Sequence, residues 1–95
     1  MEDFKGTKKE WYIGEHRQNG IQIGCSQSHY VACAYRGGVD RTDDEVIANA
    51  QLIAAAPMLL FELQELVRIC KANSISVDSA KYAINKALGK EDSHE

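Results

Sequence analysis

Several things are scarce in this sequence, and each scarcity excludes something. Pro57 is the only proline among 95 residues, and neither internal repeats nor low-complexity segments interrupt the chain. Three cysteines, Cys25, Cys33 and Cys70, form an odd set without short repeated spacing. That pattern suits reduced thiols better than a disulfide framework. Positive charge is not in excess: 11 basic residues stand against 14 acidic ones for a net charge of -3. A general binder of nucleic-acid backbones, driven by counterion release, is therefore disfavoured, although a local basic pocket is allowed.

No apolar run is expected to approach the roughly 20 residues that a bilayer span requires, and the N-terminus MEDFKGTKKE lacks the apolar core of a signal peptide. The expectation is a cytoplasmic protein without a membrane partner. There is no GxGxxG, no P-loop lysine and no paired-carboxylate motif. Nothing in the chain reads as an enzyme or asks for a cofactor. A chain this short also lies near the lower limit for an independent core, so assembly into a homo-oligomer is expected.

What is present falls into two halves. Residues 1–10 are polar and of mixed charge and read as a loose arm, followed by one domain over 11–89 and a frayed tail at 90–95. WYIGEHRQ, Asn19-Gly20 and IQIGCS predict a hairpin with a type I′ turn at Asn19-Gly20, because both residues tolerate positive φ. HYVACAYR reads as a third strand ending at Gly37-Gly38. Simple alternation places Trp11, Ile13, Ile21, Ile23, Cys25, Val31, Cys33 and Tyr35 on one set of faces, and Gly14, Gly24, Ala32 and Ala34 on a smooth second set.

After the glycines the period changes from two to 3.6. Thr42-Asp43-Asp44-Glu45 has the form of a capping box. The stripe Val46, Ala50, Ile53, Pro57, Leu60, Leu63, Val67, Cys70 then runs in register through the proline. Because proline removes a donor and clashes with the carbonyl four residues earlier, a break between Ala56 and Pro57 is expected. Asn73 and Ser74 end this segment, Ser76 is the expected cap of a last helix, and Gly89 closes it. The fold class is α+β: a three-stranded antiparallel meander followed by two or three helices packed on one face.

Candidate chemistry is sparse. His29 and Cys33 lie four apart on one strand, too far for a direct hydrogen bond, and Cys25, His29 and Cys33 lack a recognised zinc spacing and, unless His16 or another chain supplies it, a fourth ligand. Packing thiols are the simpler reading, and no metal site is expected. Tyr35, Arg36, Arg41 and Asn49, with Arg17 on the first strand, form a more suggestive set. An aromatic ring can stack on a base, a guanidinium can fork onto phosphate, and an amide can bond ribose or base edges. Against this stands the plain alternative of a core tyrosine, solvated arginines and a surface asparagine.

Ala48-Asn49-Ala50, Leu52 to Pro57, Leu59-Leu60 and Leu63 spell ANAxLIAAAPxLLxxL. With this signature the chain resembles a large set of small phage and prophage proteins. Many of these open their sheet with Thr-Pro-Gly-Pro-Trp, of which Thr7 and Trp11 remain here while Lys8, Lys9 and Glu10 replace the middle. The architecture is similar to that of the first type of Thoeris anti-defence protein, a phage sponge that sequesters the cyclic ADP-ribose signal of bacterial TIR-domain enzymes without cleaving it. That resemblance implies a small sheet followed by helices, assembly into dimers or higher oligomers, and a ligand-contacting role for Asn49. Tyr35 corresponds to the expected aromatic by its place before the helix, and the arginines are assigned on charge alone.

Two classes of function follow. The first is a non-enzymatic phage protein that captures a cyclic nucleotide signal, a cyclic ADP-ribose isomer, and so blunts host defence. The second is a protein-interaction module whose alanine-rich helix and smooth sheet face bind a host or phage protein. A nucleic-acid-associated regulator is a weaker third reading, which the net charge opposes.

Overall fold

The computed structural model describes residues 4–26, 29–37 and 42–90. Three strands come first, β1 (Tyr12–Arg17), β2 (Gly20–Ser26) and β3 (His29–Tyr35), followed by helices α1 (Asp43–Ala72) and α2 (Asp78–Ala87). The strands form one antiparallel sheet in the order β1-β2-β3, an open meander, so the fold is α+β. By its contacts the chain divides into a sheet unit, Thr7–Pro57, and a helical unit made of Met1–Gly6 and Met58–Glu95.

In the sheet unit, Ile21 and Ile23 are buried on one face of β2 and pack with Ala34 of β3 and with Val46 and Ala50 from the first turns of α1. Trp11, Ile13, Val31 and Ile53 fill the margin of this core. Register explains the choice of residues: Ile21 lies opposite Ala34 and Ile23 opposite Ala32, and directly opposed residues share a face. The alanines therefore face the core and Cys33 and Tyr35 face outward, the reverse of their placement by simple alternation. The Ser26–His29 pair that closes this hairpin already sets opposed residues of β2 and β3 at opposite parity, and the two register shifts beside it, between Ile23 and Gly24 and between Gly24 and Ser26, cancel, so the same parity resumes at Ile23. Val31 keeps its place against the core beside that irregularity.

The hairpin also differs from expectation. Arg17 pairs with Gly20, so the turn is Gln18-Asn19 and Gly20 belongs to the strand. Neither Asn19 nor Gly20 has positive φ, which a type I′ turn at those positions would require. Gly20 is instead demanded by proximity: a Cβ there would lie 2.5 Å from the Ala34 carbonyl oxygen. The glycine permits strand approach rather than chain reversal.

Thr42 caps α1 as its sequence suggests, its Oγ1 accepting the Glu45 backbone N–H at 3.2 Å. The helix then runs unbroken for 30 residues with Pro57 inside it, which corrects the expected break. A break would free four N–H and four C=O groups, whereas continuation sacrifices one hydrogen bond and preserves the apolar register on both sides. Val46, Ala50 and Val67 of the stripe are buried and its other members are half-buried. Unbroken, α1 contains an 18-residue stretch of mean hydropathy 1.7 and is by length and composition alone long enough to cross a membrane, which corrects the expectation that no apolar run approaches that length: the proline does not divide the run.

In the helical unit both helices end in the same way. The Ile75 N–H bonds the Cys70 carbonyl and the Ser74 N–H bonds the Lys71 carbonyl, while Lys90 and Gly89 repeat the pattern on Asn85 and Lys86. These are Schellman closures, with Ser74 at φ 61 and Gly89 at φ 77 in the left-handed position. The Asn73 amide adds a bond of 2.9 Å to the Ile69 carbonyl. Val77 rather than Ser76 occupies the N-cap of α2, without a side-chain cap bond, because Val77 supplies the first carbonyl acceptor, to Lys81 N–H.

Candidate functional site

The face of the sheet opposite the core carries the side chains with most chemical variety. Two cross-strand rows define it. In one, Arg17 lies opposite Gly20 and Gly20 opposite Tyr35; in the other, Tyr12 lies opposite Gly24 and Gly24 opposite Tyr30. Each row has glycine at its centre, flanked by tyrosine on both sides in one and by tyrosine and arginine in the other. At about 3.3 Å per residue, the four residues from Gly20 to Gly24 separate the rows by roughly 13 Å. Gln22 and Cys33 oppose one another between them.

The glycines make a floor rather than a gap. The Tyr30 ring comes within 3.3 Å of the position a Gly24 Cβ would take, and the Cys33 Sγ within 3.0 Å of that for Gly20. Tyr12, Tyr30 and Tyr35 remain 44, 46 and 60 % exposed. A planar aromatic ring can stack on such side chains with little steric selection. Between the rows, Gln22 Oε1 is buried and has no hydrogen-bond donor, an unmet acceptor of the kind that carries a desolvation cost.

Arg36, just past β3, is a structural tie. Its backbone N–H bonds the Asn19 carbonyl at 2.8 Å, its Nε reaches the Gln18 carbonyl at 3.4 Å, and its guanidinium pairs with Asp43 at the start of α1. The hairpin turn and the helix start are thereby fastened through one side chain, though an ion pair with so exposed a carboxylate contributes at most about 1 kcal/mol. Arg17 pairs with Glu15 at 2.5 Å, and both side chains are exposed. An anion approaching either arginine competes with a carboxylate already in place.

The structure thus brings together Arg17, Tyr35 and Arg36 at one end of the sheet. Asn49 is exposed two turns into α1, and among the described residues no hydrogen bond or ion pair joins it to that end. Arg41 lies outside the described residues. Sequence reasoning overlooked Tyr12 and Tyr30; pairing the strands in register, rather than alternating each separately, would have placed both beside Gly24.

Other chemistry is limited. The three cysteines are free, half-buried thiols. His29 Nδ1 shares a hydrogen bond of 2.7 Å with Ser26 Oγ across the β2–β3 connection. No group of three or more His, Cys, Asp or Glu side chains able to hold a metal ion occurs among the described residues.

Neither a curated protein nor a solved structure matches the chain. A family model does, over nearly its whole length. The match covers residues 1–91, sheet and helices together, and by it the chain belongs to the phage family of Salmonella phage P22 protein Y8K6.

Proposed function

We propose that this phage protein is a non-enzymatic binder that captures a small nucleotide of the cyclic ADP-ribose type on the outer face of its sheet and thereby withholds an immune signal of the host. The observation that carries the reading is the outer face itself: exposed tyrosines around a glycine floor, an acceptor without a donor at Gln22, and Arg17 and Arg36 at one end. Tyrosine faces suit an adenine ring, the Gln22 carbonyl suits its exocyclic amine, and the arginines suit a diphosphate. Asn49, Tyr35 and Arg41 remain ligand candidates in this reading through their positions in the signature and the β3–α1 connection.

Calorimetry and thermal shift with cyclic ADP-ribose isomers, linear ADP-ribose and dinucleotides test it. Saturation at 100 times the dissociation constant should add about 2.7 kcal/mol of stability, and the ligand should be recovered intact after heat denaturation. Tyr30→Ala should weaken binding by about 1 to 3 kcal/mol through lost stacking. Absence of any shift across the panel overturns the reading, and recovery of a cleaved product overturns its non-enzymatic part.

The second reading, a module that binds a host or phage protein, draws support from a different place. Leu52, Met58, Leu59, Phe61, Leu66 and Ile69 of α1 are all more exposed than large apolar side chains usually are. Pull-down with the nucleotide panel inert would favour this alternative.

A further inference from the structure

Tyr30 departs from the usual stance of a strand side chain, which stands roughly upright on its sheet. A Cβ added at Gly24 of β2 would lie 3.3 Å from its Cδ1, and one added at Gly14 of β1 would lie 3.8 Å from its Cε1. A side chain rooted on β3 therefore crosses β2 and reaches β1, about two strand spacings or roughly 10 Å away. The ring is laid across the sheet, and it can lie there because both residues that it meets are glycine. Still 46 % exposed, it turns one side to that floor and the other to solvent.

The outer face of the sheet is therefore not uniform from end to end. The Tyr12–Gly24–Tyr30 row holds no charged side chain, whereas the row about 13 Å away joins Tyr35 to Arg17, with Arg36 next after Tyr35. Within the two rows, a diphosphate meets guanidinium groups at the second end alone. A flat uncharged ring meets at the first end a surface already in place. Stacking on a ring held against the backbone orders little that was free before, and so forfeits less than stacking on a ring that must first be fixed. Bound the other way round, a ligand would set its anion over Tyr12 and Tyr30, whose ring faces carry the negative side of the aromatic quadrupole. Between the rows, the Gln22 acceptor suits the donor edge of a base and not a phosphate, which brings acceptors of its own.

We propose that the two ends of this face are separate subsites, with the nucleobase of the ligand stacked on Tyr30 and its diphosphate turned toward Arg17 and Arg36. This rests on the reading of the face as a nucleotide site, and it gives the bound molecule a direction and a class. The ligand carries an uncharged flat ring at one end and, further along the strands, an anion within reach of the arginines. A nucleoside without phosphate fills the first subsite, and inorganic pyrophosphate fills the second. Gly14 and Gly24 act as positioning residues, since they touch the platform and not the ligand.

Nuclear Overhauser contacts in the unaltered protein saturated with cyclic ADP-ribose test the direction. The base protons of adenine should contact the Tyr30 ring and move upfield in its ring current. Contacts to the Tyr35 ring in its place overturn the proposal and leave nucleotide capture intact. By calorimetry, Tyr30→Leu should weaken cyclic ADP-ribose and adenosine about 10- to 100-fold each, and Tyr30→Phe, which keeps the ring, should restore both. Arg17→Gln should weaken cyclic ADP-ribose and pyrophosphate, while adenosine binding stays as in the parent and is insensitive to salt. A Tyr30→Leu variant with parental affinity for adenosine overturns the proposal, as does an Arg17→Gln variant that loses adenosine along with pyrophosphate. Should either variant not fold, the contacts in the unaltered protein decide. Failure of all three probes to bind the parent is a different result, which overturns capture itself and the two subsites with it.

Discussion

The sheet unit and the helical unit organise their apolar residues in opposite ways. In the first, Ile23, Val46 and Ala50 are fully enclosed and the exposed aromatics lie on the far side of the sheet. In the second, among the described residues, exposed large apolar side chains outnumber the buried ones, and most of them lie on α1. The difference teaches that amphipathic patterning fixes which side of an element is apolar, not whether the same chain covers that side. The α1 helix is patterned throughout, yet intrachain packing is complete only over its first turns.

The largest expected effect exposes this contrast directly. Ile23→Ala should destabilise the protein by about 2 to 5 kcal/mol, the range for a buried branched residue in a well-packed core, whereas Val67→Ala should cost about 1 kcal/mol because a thin core collapses around the smaller residue. Chemical denaturation of both variants checks it. Equal losses would show that the helical unit is as tightly packed as the sheet.

Gly20→Ala comes next, at about 1 to 3 kcal/mol, because its Cβ would lie 2.5 Å from a carbonyl oxygen of β3, where only backbone can move aside. A loss under a few tenths of a kcal/mol would mean that glycine at this position serves turn flexibility after all. The episode shows what was legible and what was not. Asn19-Gly20 announced the hairpin, and a hairpin is there. The role of Gly20 depends on the approach of a third strand ten or more residues away, which no local pattern records. For the same reason the outward placement of Tyr35 was missed: Ser26 pairs with His29, so opposed residues of β2 and β3 differ in parity throughout the paired core, which alternation along each strand alone does not show. The α1 stripe, by contrast, was legible to its individual members, since helical period needs no partner strand to define it. Of the candidate site, the aromatic-arginine end was anticipated at Tyr35, Arg36 and Arg17. The Tyr12–Gly24–Tyr30 row was invisible until the strands were paired.

In the helical unit, Ser74→Gly should stabilise by about 1 kcal/mol, because Ser74 sits at φ 61 and pays the steric cost that glycine avoids. A thermal melt in which the variant falls below the parent would show that the Ser74 side chain contributes more than its backbone strain costs.

The smallest effect concerns Asn49. It is exposed on α1, so Asn49→Ala should raise stability by up to roughly 0.7 kcal/mol through helix propensity alone. If the amide contacts a captured nucleotide, the same variant should lose about 1 to 3 kcal/mol of affinity. Melting temperature and calorimetry on this one variant separate the roles, and unchanged affinity for every nucleotide that the parent binds removes Asn49 from the site.

The order of the strands in space is the order of the strands in the chain, and this bears on how the protein comes into being. Each strand pairs with the one made just before it, so the sheet needs no distant segment to begin and its contacts are short in sequence, the condition for fast folding. Synthesis delivers the N-terminal elements first. The meander can therefore close while α1 is still being made, but its Ile21–Ile23 face stays open until Val46 and Ala50 emerge to cover it. The interval between the third strand and the second turn of the helix is the period in which a nascent chain is most exposed to association with its neighbours.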